Sequence, residues 1–273
     1  MKKTVSYGDY NINYYVFPGK FLNKHDLLEI HQQLLDMNIN SGRNFKYGIF
    51  DHDKTFIFKK HFYDNIILAI IKNKEDEYCG FFYNYLVPES VSLPSPLLHQ
   101  GLVVIYNNKG KDLLKIPYLY SNLLMMEFLN KEFFVSNISA VPLIVGTVSE
   151  IFDDVYPSIY SDDVRFSPKE YGNYSQLLYD SYVKKYFPDG VIFDKKRFVL
   201  KSPLKEMGFG LNIKELPRHA NWLHNAFTNN WIDLNHGEDM VQIGKMTFKR
   251  KELYKQELEK TDFKIIGEND EQD

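Results

Sequence analysis

An apolar stretch followed by a short polar turn carries the clearest chemical pattern in the sequence. Gly101 to Tyr106 is apolar and predicts a strand, and Asn107 to Lys111 then leads into the helical pattern of Leu113 to Leu129. A strand that enters a helix through a glycine-containing turn directs backbone N–H groups and the positive helix end towards one point. Lys109 and Lys111 add charge that favours a phosphate or pyrophosphate. The turn is therefore a candidate anion site, although the same pattern also occurs as a plain connection.

The sequence of this turn resembles the pyrophosphate loop of the GNAT superfamily of N-acyltransferases. In that family the fourth strand ends in Gln/Arg-x-x-Gly-x-Gly/Ala. Asn107-Asn108-Lys109-Gly110-Lys111-Asp112 keeps the central glycine, with Asn107 at the Gln/Arg position and Asp112 at the last small position. The Asp112 carboxylate could cap the following helix, but it would repel a pyrophosphate unless it is turned away.

A second motif strengthens the resemblance. In the family, the next strand is followed by Asn-x-x-Ala-x-x-Leu/Phe-Tyr, and Asn137, Ala140 and Leu143 fit this spacing. Ile144 stands where the Tyr would be, so the group that protonates the leaving thiolate in many relatives is missing. The resemblance covers roughly residues 10 to 160, and the remainder is similar to the enlarged C-terminal half of some GNAT-like bacterial proteins.

The resemblance implies that acetyl-CoA or another acyl-CoA lies between the strand Gly101 to Tyr106 and the strand Glu132 to Val135. The strand backbone would pair with the pantetheine, the turn would hold the pyrophosphate, and Asn137 would lie near the thiol end. The implied cofactor-binding residues are Val103, Val104, Ile105, Asn107, Asn108, Lys109, Gly110, Lys111, Asp112 and Asn137.

A general base in this fold often lies on or just before the fourth strand. His99 is the first candidate at that place and Glu89 the second. An imidazole with a pKa near neutrality suits deprotonation of an ammonium group. The alternative interpretation is that His99 is a loop histidine at the start of a strand.

Composition and charge exclude several other classes of protein. The 273 residues include 33 Lys+Arg and 36 Asp+Glu, so a net charge of −3 disfavours binding of nucleic acid through its phosphates. Cys79 is the only cysteine, which excludes an intramolecular disulfide framework and a cysteine-based zinc site. No metal site is predicted, because His219, His224 and His236 do not form an i, i+4 pair with an intervening Glu. The longest aliphatic run is too short to span a bilayer, and no export signal is visible, so a soluble, cytoplasmic protein is expected.

The periodicity predicts an α+β fold, a GNAT-like mixed and mostly antiparallel sheet flanked by helices, with a C-terminal α/β extension. Helices are predicted over Asn23 to Met37, Leu113 to Leu129, Ala140 to Phe152, Pro168 to Tyr186, Pro217 to Trp231 and Lys249 to Lys260. Strands are predicted over Phe56 to Phe58, Asn65 to Ile71, Tyr78 to Val87, Gly101 to Tyr106, Glu132 to Val135, Val191 to Leu200 and Met240 to Phe248.

Three segments follow from this order. Residues 1–160 would form the acyl-CoA-binding core, 161–266 an extension that completes the sheet or covers the acceptor site, and 267–273 a frayed acidic tail. The expected function is transfer of an acetyl or other acyl group from acyl-CoA to an amine of a small molecule or a protein. The alternative, favoured by Asp112 and Ile144, is a catalytically degenerate GNAT-like module that binds a ligand or a protein partner. An unrelated α+β enzyme is the third interpretation.

Overall fold

The computed structural model describes residues 1–42, 45–87, 93–105, 115–161, 168–201 and 216–269. Contacts divide the chain into two compact units. The first unit contains Met1–Leu86, Gly101–Lys131 and Lys251–Asp273, and the second contains Val87–Gln100 and Glu132–Arg250. Within the described ranges, no helix is both long enough and apolar enough to cross a membrane.

The first unit is built on strands in the order β11-β1-β2-β3-β4-β5. Their bounds are β1 Lys2–Tyr7, β2 Tyr10–Val16, β3 Ile66–Asn73, β4 Tyr78–Val87, β5 Leu97–Ile105 and β11 Lys264–Asn269. Pairing is antiparallel from β11 to β4. Its helices are α1 Pro18–Phe21, α2 Lys24–Asn40, α3 Phe56–Tyr63 and α4 Lys115–Leu129, together with most of α9, Phe248–Glu259.

The strands β3 and β4 form the core of this unit. Residues 66–71 are buried on both faces of the sheet, which explains their uninterrupted aliphatic run. In β2 the inward positions Ile12, Tyr14 and Val16 alternate with more exposed residues. This period of two indicates a strand, although none of the predicted strands includes these residues.

Three expectations for the first unit have clear outcomes. The predicted helix at Asn23 is confirmed, because the Asn23 side chain accepts a hydrogen bond from the backbone N–H of Asp26 at 3.0 Å and α2 follows. The predicted strand Phe56 to Phe58 is wrong: Thr55 accepts from the backbone N–H of Phe58 at 3.3 Å and so caps α3. Residues 267–269 of the expected tail lie in β11, paired with β1, and 270–273 are outside the described residues.

The second unit has the strand order β5-β6-β10-β9-β8, and β7 pairs with β10. The bounds are β6 Phe133–Ser139, β7 Asp153–Tyr156, β8 Ile192–Asp194, β9 Val199–Lys201 and β10 Glu238–Met246. The helices are α5 Pro142–Ile151, α6 Pro168–Leu178, α7 Lys184–Tyr186 and α8 Trp222–Trp231. A π-helical turn, Tyr179–Val183, joins α6 to α7, so the predicted helix from Pro168 to Tyr186 is continuous.

Pairing in the second unit is antiparallel except for β5 and β6, which run parallel from Leu97↔Phe134 to Gln100↔Asn137. The predicted strand Val191 to Leu200 is two strands, because the polar residues 195–197 turn the chain into the hairpin β8–β9. The α+β class with a mostly antiparallel sheet is confirmed.

The C-terminal part of the chain completes the strand array of the second unit. β10 lies between β6 and β9, and its backbone is antiparallel to both. The bounds of the two compact units differ from the predicted boundary at residue 160. Residues 251–269, for example, belong to the first unit although they follow the second unit in the sequence.

Candidate functional site

The C-terminal half of β5, residues 101–105, lies in the first unit and follows Gln100, where the described parallel pairing with β6 ends. Its neighbour there is β4, and Gly101 permits their close approach, since a Cβ on Gly101 would collide with the ring of Tyr83. Val104 is buried, whereas Val103 and Ile105 are partly exposed. An edge strand with free backbone positions can accept an extended, amide-containing ligand as an additional strand.

The first turn of α4 is fixed against the same sheet. The Tyr14 hydroxyl donates to the Pro117 carbonyl at 3.0 Å, and Asn84 Nδ2 donates to Ser121 Oγ at 2.8 Å. Tyr118 stacks on Phe82 with 4.7 Å between ring centroids. Pro117 in the first turn costs no internal hydrogen bond, because the first N–H groups of a helix have no partner within it. These contacts hold the N-terminus of α4 beside the strands that precede it.

The residues between β5 and α4 contain most of the cofactor-binding set. Asn107, Asn108, Lys109, Gly110, Lys111 and Asp112 lie outside the described residues, as does Glu89. Val103, Val104 and Ile105 lie in β5 as expected.

His99 lies inside β5, not in a loop at the start of the strand. It is 3% exposed, its Nδ1 is 3.2 Å from Ser136 Oγ, and its ring packs on Tyr182 at 4.6 Å. Burial lowers the pKa of His99 to about 3, and the hydrogen bond with Ser136 opposes this only in part. Such an imidazole is neutral at physiological pH but is a weak base, because general bases work best with a pKa near the working pH. These observations favour an interior, structural histidine.

Asn137 lies within β6, whereas the sequence motif predicts a position after the end of that strand. Its Nδ2 donates to Gln242 Oε1 at 3.3 Å. Gln242 in turn donates to Ser149 Oγ at 3.1 Å and to the Pro157 carbonyl at 3.1 Å. Asn137 thus belongs to a buried amide network between β6, β10 and α5.

The structure does not bring His99 and Asn137 to one place. His99 pairs with Ser136 in the parallel register, and neighbouring residues of a strand point to opposite faces. The His99 ring packs on Tyr182, which follows α6, while the Asn137 side chain reaches towards the side of α5. The two predicted residues therefore face opposite sides of the sheet of the second unit.

The sequence analysis missed two features that carry titratable groups in the second unit. Asp239 lies in β10 beside Met240, which pairs with the last residue of β6, and burial raises the pKa of Asp239 to about 7. Glu150, His219 and His224 come together from α5, from the segment before α8, and from α8. No local motif could have identified either feature, because burial and long-range packing create both.

Comparison with known proteins gives partial likenesses only. No protein-family model matches the sequence. No curated protein matches it. Among solved structures, the chain is similar to ribosomal-protein-S5-alanine acetyltransferase from Vibrio fischeri, with 10% identity and a TM-score of 0.32 over 50% of this chain and 74% of that one.

Two structures of spermidine N-acetyltransferase from Vibrio cholerae are also similar. The one in complex with CoA and spermine has 17% identity and a TM-score of 0.28, over 46% of this chain and 70% of that one. A single-residue variant has 15% identity and a TM-score of 0.32, over 52% of this chain and 77% of that one. At these TM-scores the likenesses carry no argument about activity, which has to be argued from the residues of this chain.

Proposed function

We propose that this chain is a GNAT-type acyltransferase that moves an acetyl or another acyl group from acyl-CoA to an amine. The observation that carries the proposal is the end of β5 beyond Gln100, where the described pairing with β6 stops, followed along the chain by the anchored N-terminal turn of α4. The turn that connects them in sequence holds Lys109, Gly110 and Lys111. A strand edge, a basic turn and a helix N-terminus are what a ligand with amide groups and a pyrophosphate requires.

Each part of the acyl-CoA has a proposed partner. The backbone of Val103 to Ile105 would hydrogen-bond the pantetheine amides, in the manner of an added strand. Lys109 and Lys111, with the N-terminal N–H groups of α4, would neutralise the pyrophosphate. Asp112 would have to point away from the phosphates, where it could cap α4.

The reaction would be direct attack of a neutral amine on the thioester carbonyl. The new C–N bond forms, the C–S bond breaks, and the CoA thiolate leaves with the electron pair of that bond. The proton of the amine goes to water, since His99 is buried and its pKa is about 3. Binding both substrates in one orientation would then supply most of the rate.

Calorimetric titration of the purified chain with acetyl-CoA, CoA and ATP tests the cofactor site. We expect micromolar binding that is selective for CoA. The double variant Lys109→Ala with Lys111→Ala should weaken this binding by about tenfold or more, because each charge-assisted hydrogen bond contributes about 1.5 to 3 kcal/mol. Gly110→Val should weaken it as well.

The matched control is Lys195→Ala with Lys196→Ala, which removes the same charge from exposed positions in the turn between β8 and β9. This control should bind CoA like the unchanged protein. Absence of binding at millimolar CoA, or equal loss in both double variants, would contradict the proposed site.

The second candidate function is a degenerate module that binds a ligand or a partner without catalysis. The burial of His99 favours it, together with Ile144 at the position of the family's tyrosine. Release of free CoA thiol in the presence of a panel of polyamines and peptide amines distinguishes the two functions. Thiol release that depends on an amine supports the enzyme, whereas tight CoA binding without release for any amine supports the module.

A further inference from the structure

Glu150, His219 and His224 bring three potential metal ligands to one place in the second unit. Glu150 lies near the end of α5, His224 lies in the first turn of α8, and His219 precedes that helix. His224 Nε2 is 3.3 Å from Glu150 Oε1, and His219 Nε2 is 3.5 Å from Glu150 Oε2. The three ligand atoms all lie within 4.8 Å of one another.

The burial of His224 is not matched by hydrogen bonds. Its side chain is 0% exposed, and within the described part of the chain neither ring nitrogen has a hydrogen-bond partner, because the contact with Glu150 lacks hydrogen-bond geometry. Buried polar groups are nearly always satisfied, and an unsatisfied one is a sign of strain, function or a missing ion.

Gly146 provides the space that the two imidazoles occupy. A Cβ at this position would lie 2.6 Å from His219 Cδ2 and 2.9 Å from His224 Cγ. These distances are shorter than any normal contact, so only glycine on this face of α5 lets both rings approach the helix. The ring centroids of the two histidines are 4.5 Å apart.

We propose that Glu150, His219 and His224 bind a zinc ion. Zn²⁺ prefers tetrahedral sites with bonds of about 2.0 to 2.1 Å to histidine nitrogen and carboxylate oxygen, which places neighbouring ligand atoms about 3.3 Å apart. The two histidine nitrogens lie 3.3 and 3.5 Å from different oxygens of Glu150, and one ligand atom from each residue lies within 4.8 Å of the others, so small side-chain shifts would bring the three to this spacing. Two imidazoles and a carboxylate are a ligand set that suits zinc, and it leaves the fourth position open to water.

Solvent can reach this fourth position from the side of Glu150. The Glu150 side chain is 44% exposed, while that of His219 is 10% exposed. Glu150 also lines a cavity of about 470 Å³, together with Ser149, Asp154 and Tyr160. An ion could therefore reach Glu150 from this side.

Zinc binding has one identifiable cost in the present arrangement. His219 Nδ1 accepts a hydrogen bond from the backbone N–H of Asn221 at 3.1 Å, so Nδ1 carries no proton in this arrangement and the N–H of the ring is at Nε2. Coordination through Nε2 moves this proton to Nδ1 and breaks the bond with the Asn221 amide. The Asn221 side chain still accepts from the backbone N–H of Leu223 at 3.0 Å and caps α8. Zinc should therefore shift the amide resonance of Asn221.

Calorimetry of the chelator-treated full chain with ZnCl₂ tests the site. We expect one zinc ion per chain with micromolar or tighter affinity. Glu150→Gln and His219→Gln should each weaken binding by about 100-fold or more, since loss of even an outer partner of a ligand costs about 10 to 100-fold. The control is His236→Gln, which removes an exposed histidine whose Nδ1 lies 2.6 Å from Asp233 Oδ2 and should leave zinc affinity unchanged.

Two further measurements keep the test independent of folding defects. Glu150 is partly exposed, so Glu150→Gln should retain the circular dichroism spectrum of the unchanged protein. Co²⁺ in place of Zn²⁺ should give the visible absorption of a four-coordinate ion, which Glu150→Gln should abolish. Absence of binding at millimolar zinc, or binding that persists in Glu150→Gln and His219→Gln but is lost in His236→Gln, would overturn the proposal. Its failure leaves the CoA proposal untouched, because the two tests use different ligands and different residues.

Discussion

Replacement of Gly146 by alanine should destabilise the protein, although replacing a glycine inside a helix by alanine usually stabilises a protein. Gly146 lies inside α5, where helix propensity alone favours alanine by about 1 kcal/mol. The new Cβ would lie 2.6 Å from His219 Cδ2 and 2.9 Å from His224 Cγ. Forcing a methyl group into packed surroundings costs about 1 to 3 kcal/mol. We therefore expect Gly146→Ala to lower the free energy of unfolding by up to about 2 kcal/mol.

Gly172 in α6 is the matched control for this substitution. A Cβ there would meet only the end of the exposed Lys195 side chain, with Cε at 3.0 Å, and this side chain can move away. Gly172→Ala should therefore stabilise the protein by about 0.5 to 1 kcal/mol. In urea denaturation followed by circular dichroism, the two variants should differ in midpoint by about 0.5 to 1 M, with Gly146→Ala below the unchanged protein.

The two variants also separate the packing argument from the zinc proposal. Gly146→Ala should weaken zinc binding because it displaces both imidazoles, whereas Gly172→Ala should not affect it. If Gly146→Ala stabilises the protein as much as Gly172→Ala does, the close packing of the histidines on α5 is refuted. If Gly146→Ala destabilises the protein but binds zinc normally, the packing stands and the proposed ligand set is refuted.

Three other predictions concern ionisable side chains that are wholly or partly buried. Below about pH 6.5 His99 is protonated in the unfolded chain, but in the folded chain it is protonated only near pH 3, so stability should fall as the pH is lowered over this range. In acid denaturation the stability of His99→Gln should fall less steeply with pH, and equal slopes of stability against pH for the two proteins would refute the shifted pKa. The folded pKa of Asp239 is raised to about 7, so its contribution to stability is present at about pH 3.8 and is lost as the pH rises through 7. Asp239→Asn should therefore gain stability relative to the unchanged protein between about pH 4 and pH 8, and no relative gain would contradict the raised pKa. Arg197 donates two hydrogen bonds, of 2.8 and 2.9 Å, to the buried carboxylate of Glu238. Arg197→Met should therefore lower the free energy of unfolding in urea by about 2 kcal/mol, and a loss below about 0.5 kcal/mol would show that Glu238 is satisfied without Arg197.

Local sequence patterns predicted most of the helices. The strand predictions failed where the structure depends on burial by residues that are distant in the sequence. The cap at Asn23 and Pro142 in the first turn of α5 act within a few residues, so the sequence located both helices. Phe56 to Phe58 has the composition of a strand but follows Thr55, whose capping hydroxyl starts a helix. The N-terminal hairpin was missed because tyrosines and asparagines alternate in β2, and their inward positions are defined only by the sheet around them.

The two candidate sites differ in how the sequence encodes them. A phosphate-binding turn uses consecutive residues, because one strand end, one turn and one helix start supply the whole set of N–H groups, so the sequence alone could suggest it. The proposed zinc site requires Glu150 to meet two histidines that follow it by about 70 positions or more, and it requires Gly146 one helical turn before Glu150 to leave room for both rings. The i, i+4 pattern considers ligands on one helix only, so it does not detect a proposed site of this kind. The packing of α5 against α8 brings these ligands together. Among the residues that the structure describes, the ring nitrogens of His224 have no hydrogen-bond partner, and this observation supports a ligand there.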